Sequence, residues 1–137
     1  MDAAWNSVLV GLPVLLMHLA VTAALLIGGV GVYVSLAPYR ELELIREGNT
    51  AAAVVLAGQT LALGIPLAAM LANSVSVADI VLWGVIALAL QFVAVGVTRL
   101  LIHRLCGHIA RGEIGPALVL ATGQVMAGIL TAAAVSG

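Results

Sequence analysis

The sequence predicts an all-α integral membrane protein, with four transmembrane helices arranged as two tandem, pseudo-symmetric two-helix hairpins. Composition, four long apolar stretches and an internal repeat support this prediction. Of the 137 residues, 64% are hydrophobic and only 8% are charged, and the mean hydropathy is +1.24. Soluble domains have roughly 25% charged residues, so this chain has too few charges to cover a water-facing surface. The composition excludes a soluble globular enzyme, a disordered chain and a disulfide-stapled secreted module.

Four apolar stretches are long enough to cross a bilayer, because a hydrocarbon core of roughly 30 Å takes about 20 helical residues. The predicted spans are Val8–Leu36, Thr50–Leu71, Ile80–Ile102 and Pro116–Val135. These stretches lack the in–out alternation of the strands of a membrane β-barrel. They use most of the chain, so a single four-helix transmembrane domain over residues 1–137 is predicted.

Local signals support the predicted helix ends. Asn49 and Thr50 are suited to cap the second span, since their side-chain oxygens can accept from unpaired backbone N–H groups. Pro116 is suited to a first helical position, where its missing N–H costs little. The polar segment 73–76, Asn-Ser-Val-Ser, predicts a short turn between spans two and three.

The basic residues predict an orientation. All five are arginines, and all lie in or beside the connections between spans one and two and between spans three and four. They are Arg40, Arg46, Arg99, Arg104 and Arg111. Since basic residues favour the cytoplasmic side, these two connections are predicted to be cytoplasmic and both termini to lie on the periplasmic or outer side. Each connection is predicted either to extend its preceding helix into the headgroup layer or to be a solvated connection with snorkelling arginines.

The chain aligns with itself, without a gap, after a shift of 65 positions. Arg46 then falls on Arg111, and the pair Gly58-Gln59 falls on Gly123-Gln124. The repeating unit is one two-helix hairpin, with halves at about 8–72 and 73–137. A unit with two spans keeps its orientation when it is duplicated, so the halves are predicted to be related by a pseudo-twofold axis along the membrane normal.

Small residues spaced by four predict where the helices approach closely, because such faces let backbones pack tightly in lipid. They are Ala20, Ala24 and Gly28 in span one, Gly58 and Ala62 in span two, and Gly123 and Ala127 in span four. The repeated Gly-Gln…Ala pattern predicts contact between equivalent helices, within one chain or across a homo-oligomer.

Each span also carries one notable polar side chain. These are His18, Gln59, Gln91 and Gln124, of which the three glutamines lie near mid-bilayer by counting along the spans. Polar groups at this depth should face protein or trapped water. One interpretation is a polar pathway or solute site, with His18 as a titratable gate. The alternative is that these side chains hydrogen-bond between helices and hold the bundle together.

A proline lies inside span two. Pro66 predicts a helix kink and frees the carbonyl of Ala62 from its hydrogen bond. That carbonyl lies near Gln59 and offers a ligand for a cation, although such kinks more often only improve packing.

Several classes of activity are not indicated. The apolar part of the spans contains no Asp, Glu or Lys, which disfavours a proton-coupled pump. His103, Cys106 and His108 lack a fourth ligand and an established metal-ligand spacing, so no metal site is predicted. No nucleophile–base pair, Gly-rich phosphate loop or acid pair stands out, so neither an enzyme nor a bound cofactor is predicted. A net charge of −1 gives no indication of nucleic-acid binding.

Several segments resemble a known family. They are Glu47–Ala52, Gly58, Ile65–Leu67, Asn73–Ser76, Asp79, Trp83-Gly84, Ala87-Leu88, Gln91 and Arg99-Leu100. This pattern resembles the YjfL-like small inner-membrane proteins of bacteria, catalogued as domain of unknown function 350. The resemblance covers nearly the whole chain and implies a compact four-span bacterial inner-membrane protein. It also implies an association with envelope stress, and it brings no catalytic or ligand residues.

Two functions are therefore predicted as alternatives. The first is a non-enzymatic membrane component, structural or associated with envelope stress, that lies in the lipid bilayer and forms a homo-oligomer. The second is a small oligomeric channel or transporter for an ion or small solute. A channel predicts a water-accessible cavity lined by the polar side chains of the spans, whereas a structural role predicts that those side chains are buried and bonded to each other.

Overall fold

The computed structural model describes residues 1–36, 40–101 and 104–137, apart from the side chains of residues 105 and 106. Over these residues the chain forms helices and no strand. The helices are α1 (Asp2–Leu36), α2 (Glu41–Arg46), α3 (Thr50–Asn73), α4 (Val77–Leu101), α5 (Leu105–Ala110) and α6 (Ile114–Ser136). By length and composition, α1, α3, α4 and α6 can cross a membrane, which confirms the predicted all-α class with four spans. The pseudo-symmetry of the two halves stays a prediction.

The local sequence signals predicted the cap of α3 correctly and the start of α6 incorrectly. The Asn49 side chain accepts from the N–H of Ala52 at 3.1 Å, which confirms the predicted cap of α3. The predicted first helical position for Pro116 is wrong, because α6 begins two residues earlier, at Ile114. Proline is tolerated there because the N–H groups of the whole first turn have no partner inside the helix.

A short turn joins α3 to α4, as the sequence predicts. It contains only residues 74–76, and the Ser76 hydroxyl accepts from the N–H of Asp79 at 3.2 Å. This bond caps the first turn of α4, and the shortness of the turn makes α3 and α4 antiparallel neighbours.

The other two connections contain the short helices α2 and α5. Arg40 has a non-helical backbone, so the first connection does not extend α1 as one continuous helix. Each short helix is followed by a glycine with positive φ, 90° at Gly48 and 81° at Gly112, a conformation that favours glycine and commonly ends a helix. After α2, the backbone N–H groups of Gly48 and Asn49 donate to the carbonyls of Ile45 and Leu44, respectively. After α5, the N–H groups of Gly112 and Glu113 donate in the same way to the carbonyls of Ile109 and His108. The same backbone corner thus occurs twice, with a separation of 64 positions, whereas the internal sequence repeat has a shift of 65 positions.

The bundle is centred on α3. Of its most apolar segment, 44% is buried, against 28% for α4, 22% for α6 and 6% for α1. The most extensive helix pair is α3 with α6, and these two helices are parallel because both begin at the end that carries the short helices. A Cβ added at Gly58 would lie 2.6 Å from Cβ of Ala121, and one added at Gly128 would lie 2.5 Å from the carbonyl oxygen of Ala62. The two backbones therefore touch at two levels, each through a glycine.

The first helix is much longer than the bundle is high. Gly29 of α1 packs against Leu88 of α4, since a Cβ added there would lie 3.0 Å from the Leu88 side chain. The two helices run in the same direction, so His18 is level with Val77, the first residue of α4. Residues 2–17, the N-terminal arm, therefore extend past the bundle by about 24 Å, at about 1.5 Å per residue. Every residue of the arm is exposed.

Candidate functional site

Three buried glutamines form the centre of the candidate site. Gln59 of α3 is 0% exposed, Gln91 of α4 is 1% exposed and Gln124 of α6 is 3% exposed. On α3 and α6 each glutamine lies at a four-residue spacing from a buried neighbour on the same face, Leu63 for Gln59 and Leu120 for Gln124. Gln59 lies between the two contact levels of α3 with α6, and so does Gln124. The three side chains therefore point into the bundle at about the same depth.

A tyrosine from the first helix lies at the same depth. Gly29 of α1 packs against Leu63 of α3, and one helical turn further along α1 brings Tyr33 level with Gln59, because the two helices are antiparallel. Tyr33 is 2% exposed. Tyr33, Gln59, Gln91 and Gln124 thus form one polar layer, with one side chain from each spanning helix.

Few of the polar atoms in this layer are paired. The Gln91 side-chain N–H donates to the backbone carbonyl of Gln124 at 3.1 Å. Both amide atoms of Gln59 and of Gln124 are buried without a hydrogen-bond partner, as is the Gln91 carbonyl oxygen. The Tyr33 hydroxyl lies close to the Gln124 amide and to the Arg99 guanidinium without a well-formed bond to either. The layer is therefore polar and only partly satisfied.

The chemistry of the layer is that of neutral amides and one phenol. It contains no carboxylate, lysine or imidazole, so it has no group suited to general acid–base catalysis near neutral pH. Amides and hydroxyls at this depth can hydrogen-bond between helices, or to a trapped water or a weakly held solute. The first of these is observed, in the bond from Gln91 to the backbone of α6.

His18 does not belong to the polar layer. It lies at the end of the bundle opposite the short helices, where it is half-buried, and it lines an open apolar groove of about 640 Å³ between the N-terminal arm and Leu71 of α3. The sequence grouped His18 with the glutamines, but the structure brings together the glutamines and Tyr33. No local signal in the sequence marked Tyr33, because a tyrosine near the end of a span is equally suited to the membrane surface.

The carbonyl that Pro66 frees is covered by protein. Pro66 is buried within α3, and the helix continues past it to Asn73. The carbonyl oxygen of Ala62 lies against the backbone of α6, at the point where Gly128 has no side chain. It is therefore used in helix packing and is not presented to a passage for cations.

The small residues divide into two groups. Gly58 and Ala62 of α3 lie in the α3–α6 contact, where they face Ala121 and Gly128 of α6. The predicted small residues of α6, Gly123 and Ala127, do not lie opposite them. Ala127 is half-buried, and Gly123 is exposed with nothing within 4 Å of an added Cβ. The span-one residues Ala20, Ala24 and Gly28 are also exposed. They stay unpacked because α1 meets the bundle through Gly29, on another face.

The arginines lie together at one end of the bundle, where α1 and α4 end and α3 and α6 begin. The Arg99 guanidinium lies 5.5 Å from the centroid of the Tyr33 ring, within cation–π distance, and Tyr33 is also in electrostatic contact with Glu41. Glu41 is only 1% exposed, although carboxylate side chains are usually exposed, and nothing in the sequence predicts its burial. The remaining arginines, Arg40, Arg46, Arg104 and Arg111, are exposed.

Asn49 joins the two halves at this end. Its amide donates to the carbonyls of Ile109 at 2.9 Å and Ala110 at 3.3 Å, while its oxygen caps α3. One side chain thus holds the last turn of α5 against the start of α3. The sequence predicts the cap but not the bridge, since nothing local in it indicates a contact 60 residues away.

No group of three or more His, Cys, Asp or Glu side chains that could hold a metal ion occurs among the residues that the structure describes. Of the cluster considered in the sequence, His103 and the Cys106 side chain lie outside the described residues, and His108 contacts Glu113.

Comparison with known proteins agrees with the four-span fold. Residues 7–135 match the family described as Domain of Unknown Function (DUF350). The chain is 32% identical over 102 residues to the UPF0719 inner membrane protein YjfL of Escherichia coli strain K12, covering 74% of this chain and 77% of that protein. The protein of the same description from Escherichia coli O157:H7 matches equally. No solved structure is detectably similar. The chain is therefore a four-span membrane protein that belongs to the DUF350 family.

Proposed function

We propose that this chain is a non-enzymatic structural component of the bacterial inner membrane, acting in the integrity of the envelope under stress. The observation that carries the proposal is the burial of Gln59, Gln91 and Gln124 in one layer that is closed by helix packing. The names of the curated relatives, which are inner membrane proteins, support the location. The arginine-bearing end then faces the cytoplasm and both termini face the periplasm.

A second candidate function has one specific observation in its favour. The unpaired amide atoms of Gln59 and Gln124 are costly in a low-dielectric interior. Water would satisfy both the N–H groups and the carbonyl oxygens, and a small cation would satisfy the carbonyl oxygens. This favours a small channel or transporter that opens along the polar layer. The structural proposal is preferred because the same side chains are buried and one of them already bonds to a neighbouring helix.

Solute flux into liposomes separates the two functions. For the structural role, we expect liposomes containing the purified protein to pass Na⁺, K⁺, H⁺ and Cl⁻ no faster than empty liposomes. Gln59→Leu is expected to leave the stability of the bundle within about 1 kcal/mol, because it removes two unpaired polar atoms at little change in size.

His18→Ala is the matched control, since His18 lies outside the polar layer. Flux through the wild-type protein that is lost in Gln59→Leu and kept in His18→Ala would replace the structural proposal with the channel. Flux that persists in both variants would also overturn the structural role and would place the passage elsewhere.

We also propose that the chain forms a homo-oligomer through α1. The N-terminal arm is apolar on all sides from Val8 onward, with exposed side chains such as Leu9 and Leu16, and it extends past its own bundle. A helix of this composition is unstable in water, so it needs either lipid or protein around it. A second copy of α1 provides that cover, and the exposed Ala24 and Gly28 allow close approach within the membrane.

Site-directed crosslinking tests this assembly in a Cys106→Ser background. Met17→Cys in the arm, which lies on the same face of α1 as Ala24 and Gly28, is expected to form a disulfide-linked dimer in native membranes. Leu130→Cys, an exposed apolar position on α6, is the control and is expected to stay monomeric. A monomeric mass in lipid nanodiscs together with no crosslink at Met17→Cys would count against the homo-oligomer.

A further inference from the structure

A basic pocket lies at the corner formed by α5. It is an open cavity of about 610 Å³ lined by Arg104, Gly107, His108 and Arg111. Gly107 leaves space in its floor, since nothing lies within 4 Å of a Cβ added there. The Arg111 guanidinium lies 3.1 Å from the ring nitrogen Nδ1 of His108. The pocket thus presents two guanidinium groups around an open floor.

The charge of this pocket is only partly neutralised from within the chain. Among the described residues, the acid in contact with the pocket is Glu113, and it engages His108. Neither Arg104 nor Arg111 forms an ion pair with a carboxylate in the described part of the chain. Both arginines are exposed and so are free to turn toward a ligand.

The equivalent corner at α2 differs in charge. Residues 40–47 contain two arginines and three glutamates, a formal charge of −1. Residues 104–113 contain two arginines and one glutamate, a formal charge of +1 with neutral histidine. At the α2 corner, Arg40 is paired with Glu43 at 3.2 Å. Two corners with the same backbone therefore differ in formal charge and in whether their first arginine, Arg40 or Arg104, is paired with a carboxylate.

The position of the pocket relative to the membrane surface indicates which anion it binds. Arg104 follows the end of α4 and Arg111 precedes the start of α6, so the pocket lies where two spans leave the apolar core of a bilayer. Lipid phosphates lie in this layer, and arginine binds phosphate oxygens through paired N–H donors. Basic side chains at this height are attracted to anionic lipid surfaces.

We propose that the pocket at α5 binds the phosphate of an anionic phospholipid headgroup. The two arginines hold the phosphate oxygens, and the space above Gly107 accommodates the headgroup. The lipid binds at the α5 corner and not at the α2 corner, so the two halves of the protein contact the membrane surface differently.

Binding of fluorescent phosphatidylglycerol to the purified full-length protein in neutral detergent tests the site. The double variant Arg104→Gln/Arg111→Gln is expected to bind at least about tenfold more weakly than the wild type. The control, Arg40→Gln/Arg46→Gln, removes the same charge from the α2 corner and is expected to stay within about twofold. Equal loss in both double variants would show attraction by net charge alone and would overturn the proposal.

A pocket-filling variant and a competition experiment test the site further. Gly107→Phe fills the pocket without removing a charge, so its binding is expected to fall as well, and unchanged binding would overturn a site above Gly107. Inorganic phosphate at millimolar concentration is expected not to displace the lipid, and full displacement would assign the pocket to free phosphate instead. The melting temperature of each variant should match the wild type, and Gly107→Phe alone decides the result if the arginine variant is unfolded.

Discussion

Replacing Gly128 by alanine is expected to destabilise the bundle by about 3 kcal/mol, the upper part of the range for overpacking a tight core. The new Cβ would lie 2.5 Å from the carbonyl oxygen and 2.9 Å from Cα of Ala62. Both are backbone atoms, so no side chain can rotate away and α6 must separate from α3. Unfolding of the purified protein with increasing sodium dodecyl sulfate, followed by circular dichroism, measures the change.

Gly123→Ala is the matched control for this result. Gly123 lies on the same helix, but nothing is within 4 Å of an added Cβ. The control is expected to be as stable as the wild type or slightly more stable, because alanine favours a helix over glycine. Equal stability of the two variants would contradict the α3–α6 contact at Gly128.

The other glycine of this contact offers a compensating test. Gly58→Ala places a Cβ 2.6 Å from Cβ of Ala121, and Ala121→Gly removes that atom. The double variant is therefore expected to recover part of the stability that Gly58→Ala loses. It should not recover all of it, because the new Cβ still lies 2.9 Å from Cα of Ala121.

Replacing Asn49 by alanine is expected to cost about 2 kcal/mol. It removes the cap of α3, which accounts for about 1 kcal/mol, and it leaves the carbonyls of Ile109 and Ala110 without the amide that joins them to α3. The same denaturation measurement applies, and hydrogen exchange should rise at the start of α3 and in the last turn of α5.

Asn49→Ser separates the two contributions. Serine also caps helices, but its side chain is shorter and cannot reach across to α5 while it caps α3. The variant is expected to lie between wild type and Asn49→Ala in stability, with increased exchange confined to α5. A serine variant as stable as the wild type would show that the bridge to Ile109 contributes nothing.

Much of the fold follows from local features of the sequence. The four spans, the Asn49 cap and the turn at residues 74–76 depend on hydropathy and on side chains that bond within a few residues. The depth of Gln59, Gln91 and Gln124 also follows, because counting along a helix converts position into height. The membership of Tyr33 does not follow, since tyrosine is equally suited to the membrane surface and only its contact with α3 places it in the layer.

The sequence by itself determined which segments are the four spanning helices, which end carries the arginines and how deep the glutamines lie. The tertiary structure alone decided that α3 meets α6 through Gly58 and Gly128, that Tyr33 joins the polar layer in place of His18, and that the N-terminal arm extends past the bundle. The physical reason is that lipid is as apolar as a protein core. A helix that is apolar all round carries no stripe that distinguishes a buried face from a lipid-facing one, so only the packed partner reveals which face is used.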